Sequence, residues 1–423
     1  MQLPHDFEEY TKDLMGKKLY ATLLQGLNDT PTISIRINPF KDGLNRIASR
    51  KDDGIIKVNE LTSVPWCSDG FYLARKPEFI FDPLLHAGTY YVQEASSMFL
   101  DYVLRQVVKE PIAMLDLSAA PGGKTTCAMG ALPKGSILCS NEPVKKRASI
   151  LRENVEKYGH PDIIVTNNYA KDYAKARMAF DVILTDVPCS GEGMFRKNAF
   201  AIEDWSTAKV SECQRLQRSI VEDIWQCLKP GGILVYSTCT FNAMEDEENV
   251  EWIAKELGAK PIQIKNIAPE WNITGALKGD FPVYRFIPGV SRGEGLFMAV
   301  LQKDGEHTAE ANPRESRQFK DISKKLHVLT HGVNPPEKKG KKIIPDESLS
   351  LTINQEENNY PRIEVDHNTA IKYLRREAIT LPPDTPRGIV TICFGGLGLG
   401  FANNLSNRAN NLFPQEWRIK TTH

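Results

Sequence analysis

The sequence predicts an α/β protein with a doubly wound, mostly parallel sheet at its centre, a small α+β unit before it and a small, mostly β unit after it. Three observations carry this. The apolar run Ala113-Met114-Leu115-Asp116-Leu117 is followed by a loop of small residues, Ser118-Ala119-Ala120-Pro121-Gly122-Gly123, and then by a helical run to Leu132. From there to Thr240, short apolar strands alternate with amphipathic helices, the pattern of a sheet covered on both faces. Two of the later strands end on cysteine, one running through Phe180–Thr185 into Asp186-Val187-Pro188-Cys189 and one through Gly232–Tyr236 into Ser237-Thr238-Cys239. Ligands of open α/β sheets bind outside the carboxyl ends of the strands, so the two thiols are expected to face one pocket.

Length and composition bound the rest. At 423 residues the chain is long enough for two or three domains, and 41% hydrophobic with 25% charged residues are globular values. The eight cysteines are scattered without a CxxC pair, so zinc-site spacing is absent, no metal is expected, and a reducing, cytoplasmic setting fits. The start has no basic segment leading into an apolar run, and no stretch is long and apolar enough for a membrane span. Charge is uneven. Residues 312–423 hold 17 basic and 12 acidic residues, leaving 36 and 41 for the remainder. A basic C-terminal segment beside an acidic body permits a nucleic-acid partner, although a solvated tail has the same signature.

In chain order, residues 1–109 mix short helices and strands. Ile35 and Ile37 alternate on one face of a strand stopped by Pro39, which puts Arg36 and Asn38 on the other face, expected to be solvated rather than turned toward a ligand. The small-residue loop after Leu117 then opens a nucleotide-binding βαβ unit, in which the backbone approaches a ligand closely and the helix N-terminus offers free N–H groups. It is not a P-loop, because the first glycine of that motif falls on Ser118, and no G-x-G-x-x-G is present. The second strand, Ser136–Asn141, ends at Glu142, 19 residues after Gly123, where a carboxylate can accept two ribose hydroxyls. The helix from Lys145 to Tyr158 buries Leu151, Val155 and Tyr158 and stops at Gly159. Asn167-Asn168 end the third strand and could hold an adenine amine or make a turn.

After the fourth strand, Gly191-Glu192-Gly193 with Arg196 and Lys197 suits a phosphate backbone, or else is a solvated loop. A helix from Ser211 to Leu228 with Leu216, Ile220, Ile224 and Leu228 on its apolar face is expected to end at Pro230-Gly231-Gly232. Cys213 and Cys227 fall on it as packing residues. The acidic run Glu245–Glu251 suits a helix N-terminus. Two strands, Pro282–Pro288 and Leu296–Leu301, close the unit as an antiparallel pair. The divisions expected are 1–109, 110–304, a polar and mobile linker over 305–350 that includes Pro335-Pro336-Glu337-Lys338-Lys339-Gly340-Lys341-Lys342, and 351–423.

Taken together, several of these stretches resemble the Sun-domain family of RNA (cytosine-5)-methyltransferases. They are Ser118–Thr125, Asp186–Gly193, Ser237–Thr240 with Glu248-Asn249, Arg36-Ile37-Asn38, Gln93–Ser97, and Gly293-Glu294-Gly295 with Phe297. Residues 5 to about 303 carry this resemblance, and Gly398–Phe401 with Asn411, Pro414 and Trp417-Arg418 is similar to the tail of the bacterial RsmF branch, which methylates small-subunit ribosomal RNA. The resemblance implies a Rossmann-like, S-adenosyl-L-methionine-dependent methyltransferase core, an N-terminal domain that meets the RNA substrate, and a PUA-like C-terminal RNA-binding domain. It implies 16S rRNA or the small ribosomal subunit as partner, with no membrane and a monomeric enzyme. Cofactor contacts are implied for Ser118, Ala119, Ala120, Pro121, Gly122, Gly123, Lys124, Glu142, Asn168 and Asp186.

The same resemblance assigns the attacking thiolate to Cys239. Spacing alone does not decide between the cysteines, because DNA cytosine methyltransferases use a Pro-Cys thiol in the position of Cys189. Cytosine C5 is a poor nucleophile until a thiolate adds at C6, which is why such chemistry needs covalent catalysis. Cys189 would then assist release of the adduct, Asp186 would hydrogen-bond the base near N3, and Lys124 would orient Asp186. Ser118 stands where many members have Cys, Asn168 where many have Asp, and Pro288-Gly289 where Pro-His is common. The first two departures are expected to tune cofactor binding. Two other readings stay open on sequence alone: a tRNA cytosine-5 methyltransferase, and a non-catalytic RNA-binding factor in ribosome assembly. A glutamine-directed methyltransferase would carry Asn-Pro-Pro-Tyr where this chain has Asp186–Cys189.

Overall fold

Alternating side chains place the first sheet. In the computed structural model, which describes residues 1–50, 54–308, 310–340, 342–406 and 408–421, two helices that meet at a kink at Gly16 span His5–Asn28 and precede four antiparallel strands. These are β1 (Ile33–Ile37), β2 (Thr62–Val64), β3 (Cys67–Leu73) and β4 (Tyr90–Val92), in the order β2-β3-β1-β4. Ile35 and Ile37 enter an apolar core as their spacing requires. Arg36 and Asn38 are not solvated: they are 2% and 1% exposed. Arg36 donates to Gln93 Oε1 at 2.8 Å and to Thr126 Oγ1 at 2.5 Å, and Asn38 donates to the carbonyls of Gly88 at 2.8 Å and Tyr158 at 3.0 Å. The alternation correctly separated the two faces of β1. What a single strand does not reveal is that its polar face lies against the next unit, where a buried side chain keeps its polar atoms only by bonding them.

The central sheet has nine strands. Five run parallel: β5 (Ala113–Asp116), β6 (Ile137–Asn141), β7 (Ile163–Thr166), β8 (Phe180–Asp186) and β9 (Leu228–Thr238). Then come β10 (Lys260–Pro261), β11 (Val283–Phe286) and β12 (Leu296–Gln302), with β12 antiparallel to β9 and flanked by the other two. With an edge strand β13 (Val328–Thr330) beside β7, the order is β10-β12-β9-β8-β5-β6-β7-β13, so the winding reverses at β5, between β6 and β8. The crevice at such a reversal is where a ligand sits. Helix layers cover both faces: Leu104, Leu151 and Val155 pack on one side, and Val221, Ile224 and Ile253 on the other.

Two expectations are corrected within this sheet. The helix expected over Ser211–Leu228 spans Thr207–Trp225, and Pro230-Gly231-Gly232 lie inside β9 instead of separating helix from strand. A register irregularity opposite Phe180 and Val182 accommodates them, as prolines in sheets require. Leu216 is 47% exposed, while the stripe facing the core is Val210, Gln217, Val221 and Ile224. Gln217 is the reason: a polar residue that its partners hold inside shifts the apparent apolar face.

The segment read as a mobile linker is folded over much of its length. Short helices at Arg317–Lys320 and Ile322–Lys325 bring Phe319, Ile322 and Leu326 into the core of the central sheet. β13 (Val328–Thr330) then adds antiparallel to β7 as an edge strand. Five apolar side chains spread thinly through a polar stretch escape a composition argument, yet they suffice to cover an open edge. A hairpin follows, β14 (Glu337–Lys339) with β15 (Lys342–Ile344), and a helix Glu347–Leu351; of the basic run noted above, Lys341 lies outside the described residues.

The last unit is a four-stranded sheet of β16 (Arg362–Glu364), β17 (Gly388–Phe394), β18 (Leu397–Asn404) and β19 (Ala409–Asn411), with a helix His367–Leu374. Its core is continuous with that of the first sheet: Leu374, Ile392, Phe394 and Leu399 pack with Ile35, Ile37, Leu84 and Tyr90. Among the described residues no helix is long and apolar enough to cross a membrane.

Candidate active site

The reversal point of the sheet holds a cavity of about 390 Å³. Ser118, Ala119, Ala120, Pro121, Gly123, Lys124, Asp186 and Cys239 line it, together with Asp116, Gln93, Glu94, Met194, Lys197 and Gly295. Three strand ends and a loop of the first domain therefore converge on one space. The turn beneath it needs glycine: Gly122 has φ +113°, and a Cβ on Gly123 would stand 3.3 Å from the Tyr91 ring.

Asp116, at the end of β5, was not singled out from sequence. Its signal was an acid at the end of the first apolar strand, which the strand pattern absorbed. The side chain is fully buried. Thr125 Oγ1 donates to its Oδ2 at 2.6 Å, and Oδ1 has no hydrogen-bond partner. Burial pushes its pKa up to about 7, with Asp186 and Glu142 adding to the rise and Thr125 and Lys124 opposing it. Glu142, at the end of β6, is also fully buried and lies outside the cavity lining. It accepts the Val144 N–H at 2.9 Å, while Oε2 has Arg147 at 3.4 Å and no hydrogen bond. Two buried carboxylate oxygens without donors, beside a glycine turn, fit a ligand that brings N–H and O–H groups of its own.

Lys124 and Asp186 form an ion pair at 2.8 Å, and Ser237 Oγ donates to the other carboxylate oxygen at 2.5 Å. Burial pulls the Lys124 pKa down, but Asp186, joined by Cys239 and Asp116, pulls it up further, so the ammonium form is held. Cys189 Sγ lies 3.1 Å from Cys239 Sγ. The hydrogen bond with Cys239, then burial, raises the Cys189 pKa well above the ordinary thiol value, so Cys189 keeps its proton. Only Cys239 of the pair lines the cavity.

The surrounding loops differ from their sequence reading. Gly193 is not a flexible point: its N–H donates to the Cys239 carbonyl at 2.8 Å, and a Cβ there would meet the Gly295 carbonyl at 2.8 Å. Arg196 is committed to Glu294 at 2.7 Å and to the Gly26 and Gly293 carbonyls, so it is not free for a phosphate; Lys197 reaches the cavity wall. The acidic run does open a helix, Glu247–Glu256, and Glu245, Asp246 and Glu247 are all buried there. Asp246 accepts from Thr238 and Thr240, on either side of Cys239, and pairs with Arg285 at 2.9 Å. Asn168 lies outside the cavity lining, and its amide is bonded both ways to the His327 backbone, donating at 3.2 Å and accepting at 3.1 Å. Among the described residues, no group of three His, Cys, Asp or Glu side chains is placed to hold a metal ion.

A doubly wound sheet with a glycine turn, two buried acids each with one oxygen lacking a hydrogen bond, and a cavity at its reversal point is the core of an S-adenosyl-L-methionine-dependent methyltransferase. Residues 102–302 match the family described as 16S rRNA methyltransferase RsmB/F, residues 3–95 the N-terminal domain of 16S rRNA methyltransferase RsmF, and residues 360–419 the methyltransferase RsmF PUA domain. Ribosomal RNA small subunit methyltransferase F of Vibrio parahaemolyticus is 31% identical, covering 75% of this chain and 70% of that protein. The protein of the same description from Shewanella oneidensis is 28% identical over 90% of each chain. The solved structure of NSun6 from Pyrococcus horikoshii with SFG superposes with a TM-score of 0.61 at 21% identity, covering 72% of this chain and 99% of that one, a likeness of fold. The chain belongs to the ribosomal RNA small subunit methyltransferase F family.

Proposed function

We propose that this enzyme methylates C5 of a cytosine in 16S ribosomal RNA, in the cytoplasm, through a covalent adduct between Cys239 and C6 of the base. The observation that carries the reading is the thiol pair at 3.1 Å beside the cofactor cavity, with one member lining it. The names of the family and of the relatives supply the RNA class.

Asp116, the turn Ser118–Gly123 and Glu142 would hold S-adenosyl-L-methionine. When bound, it supplies an electrophilic methyl group. The chain supplies the rest. The Cys239 thiolate adds to C6, which turns C5 into an enamine-like carbon able to take the methyl. Asp186 hydrogen-bonds the base near N3, and its negative charge favours a protonated N3, which accepts the electron pair displaced as the thiolate adds to C6. Lys124 and Ser237, bonded to its two oxygens, hold that carboxylate in one orientation. Loss of the C5 proton to a base then lets the C6–sulfur bond break, returning its electron pair to Cys239. Cys189, still protonated and in contact with Cys239, assists this release. The target base must leave any stack to reach the cavity.

Bisulfite sequencing of ribosomal and transfer RNA from cells with and without the gene tests the reading. Loss of protected cytosines in 16S rRNA is expected. Loss confined to tRNA would move the substrate, and no change at any cytosine would overturn the activity.

A further inference from the structure

The two cysteine loops are tied to each other by a crossed pair of buried carboxylates. Glu192 sits on the loop after Cys189, yet it serves the loop after Cys239. Its Oε2 accepts the backbone N–H groups of Phe241 at 2.6 Å and Asn242 at 3.0 Å, and its Oε1 accepts Asn242 Nδ2 at 3.0 Å and Trp205 Nε1 at 3.0 Å. Glu245 does the reverse. It follows Cys239 in sequence, and it accepts the Ser190 N–H, next to Cys189, at 3.0 Å. Asn242 joins the two acids, giving Glu245 Oε1 a second bond at 2.8 Å, while Gln217 ties Glu245 at 2.7 Å to the Pro188 carbonyl at 2.9 Å. Glu192, Glu245 and Gln217 are fully buried, and Asn242 is 2% exposed. None of these four side chains lines the cavity.

We propose that Glu192, Asn242 and Glu245 are positioning residues that set the distance between the Cys189 and Cys239 thiols, and through it the rate at which the covalent adduct is released. The argument is geometric. Two separate loops keep sulfurs in contact only if something fixes one loop against the other, and these bonds end on Ser190, next to Cys189, and on Phe241 and Asn242, two and three residues after Cys239. The brace is also particular in its chemistry. Every group aimed at Glu192 is an N–H donor, so an amide in its place must turn its own NH₂ toward donors and leave at least one unpaired. The role in adduct release rests on the cytosine-5 reading above; the role in thiol spacing does not.

The test uses the full-length chain with E192Q and N242A, the second removing the side-chain bridge between the two acids together with the acceptor of the Glu245 N–H. In the first measurement diamide oxidises the thiol pair: two thiols lose two protons and two electrons, the Cys189–Cys239 disulfide forms, and diamide is reduced to the hydrazine. Joined peptides are counted by mass spectrometry. Disulfide closure is expected to slow roughly tenfold in both variants, with S-adenosyl-L-methionine affinity by calorimetry within about twofold of the parent. In the second, steady-state assays on the RNA should show kcat down about tenfold with KM within about twofold, and single-turnover assays should show adduct release slowed more than adduct formation. Closure at the parent rate in both variants overturns the brace. So does loss of cofactor binding in step with closure, which would mark a general loosening. A parent enzyme that methylates no RNA cytosine overturns the reaction, while the diamide rates still decide the brace.

Discussion

At the scale of single residues, the site combines groups whose surroundings push them apart. Cys239 lines the cavity while Cys189 keeps its proton beside it. Replacing Cys239 with Ala should reduce methyl transfer roughly a thousandfold or more and leave cofactor binding intact by calorimetry. Replacing Cys189 with Ala should instead leave a protein–RNA adduct that survives a denaturing gel; a clean gel would remove Cys189 from the release step. Asp116 makes a different prediction. Its pKa rises from an unfolded value of 3.8 to about 7 in the folded chain. Between those values the native state holds a proton that the unfolded chain has lost, so stability falls as pH rises through that window, by an amount on the order of 4 kcal/mol. Asp116→Asn should therefore make the ligand-free protein melt higher at pH 8 while weakening cofactor binding. The parent should bind the cationic cofactor more tightly as pH rises through 7, with Lys124, Asp186 and Glu142 as the other charges facing Asp116.

Among the elements, the segment over 313–330 has a consequence for stability. Phe319, Ile322 and Leu326 are 5%, 1% and 5% exposed and belong to the core under β7 and β8. Ile322→Ala should lower the unfolding free energy by about 2–5 kcal/mol in a denaturant titration, the cost of a cavity in a packed interior. A tether would lose almost nothing. β9 makes a related point. Its continuation through Pro230 puts the Lys229 ammonium 3.0 Å from Asp181, so the strand is anchored from its first residues, well before Cys239 at its far end.

For the whole molecule, the first and last domains share one apolar core, and both contact the catalytic unit, the first through Arg36 and Lys41 and the last through the Ile353 N–H on the Gly159 carbonyl and Trp417 under Lys157. Removing residues 355–423 should expose Ile35, Ile37, Leu84 and Tyr90. Hydrogen exchange in β1 and β4 should then speed up although neither strand has been cut. Unchanged protection there would mean that the first sheet holds without its partner. Within the catalytic unit, Arg285 of β11 ties down the segment after Cys239: it is 1% exposed and paired with Asp246 and Glu247. Breaking a buried pair by removing one member leaves charges with no water and no partner, so Arg285→Ala should destabilise by about 3–5 kcal/mol.

Local chemistry made much of this protein legible in its sequence. Alternation and helical period located the parallel strands and the Lys145–Tyr158 helix, because each pattern is set by the geometry of the element that carries it. The small-residue turn and the two cysteines could be placed near strand ends from the strand pattern alone, whereas the roles expected of Lys124 and Asp186 came only with the family resemblance. Other features depended on contacts distant in sequence and were decided only by the tertiary structure. Arg36 reads as a surface cation until the catalytic unit covers it, the Asn168 amide, open in sequence to an adenine or a turn, is bonded to the His327 backbone, and the acids that open the helix after Cys239 are also enclosed by Arg285 and the Cys189 loop, which their spacing does not reveal. Sequence period reports which face a residue occupies. What that face meets is settled by the packing of elements hundreds of residues apart, and burial then decides whether a charge is solvent-facing, paired or held ready for a ligand.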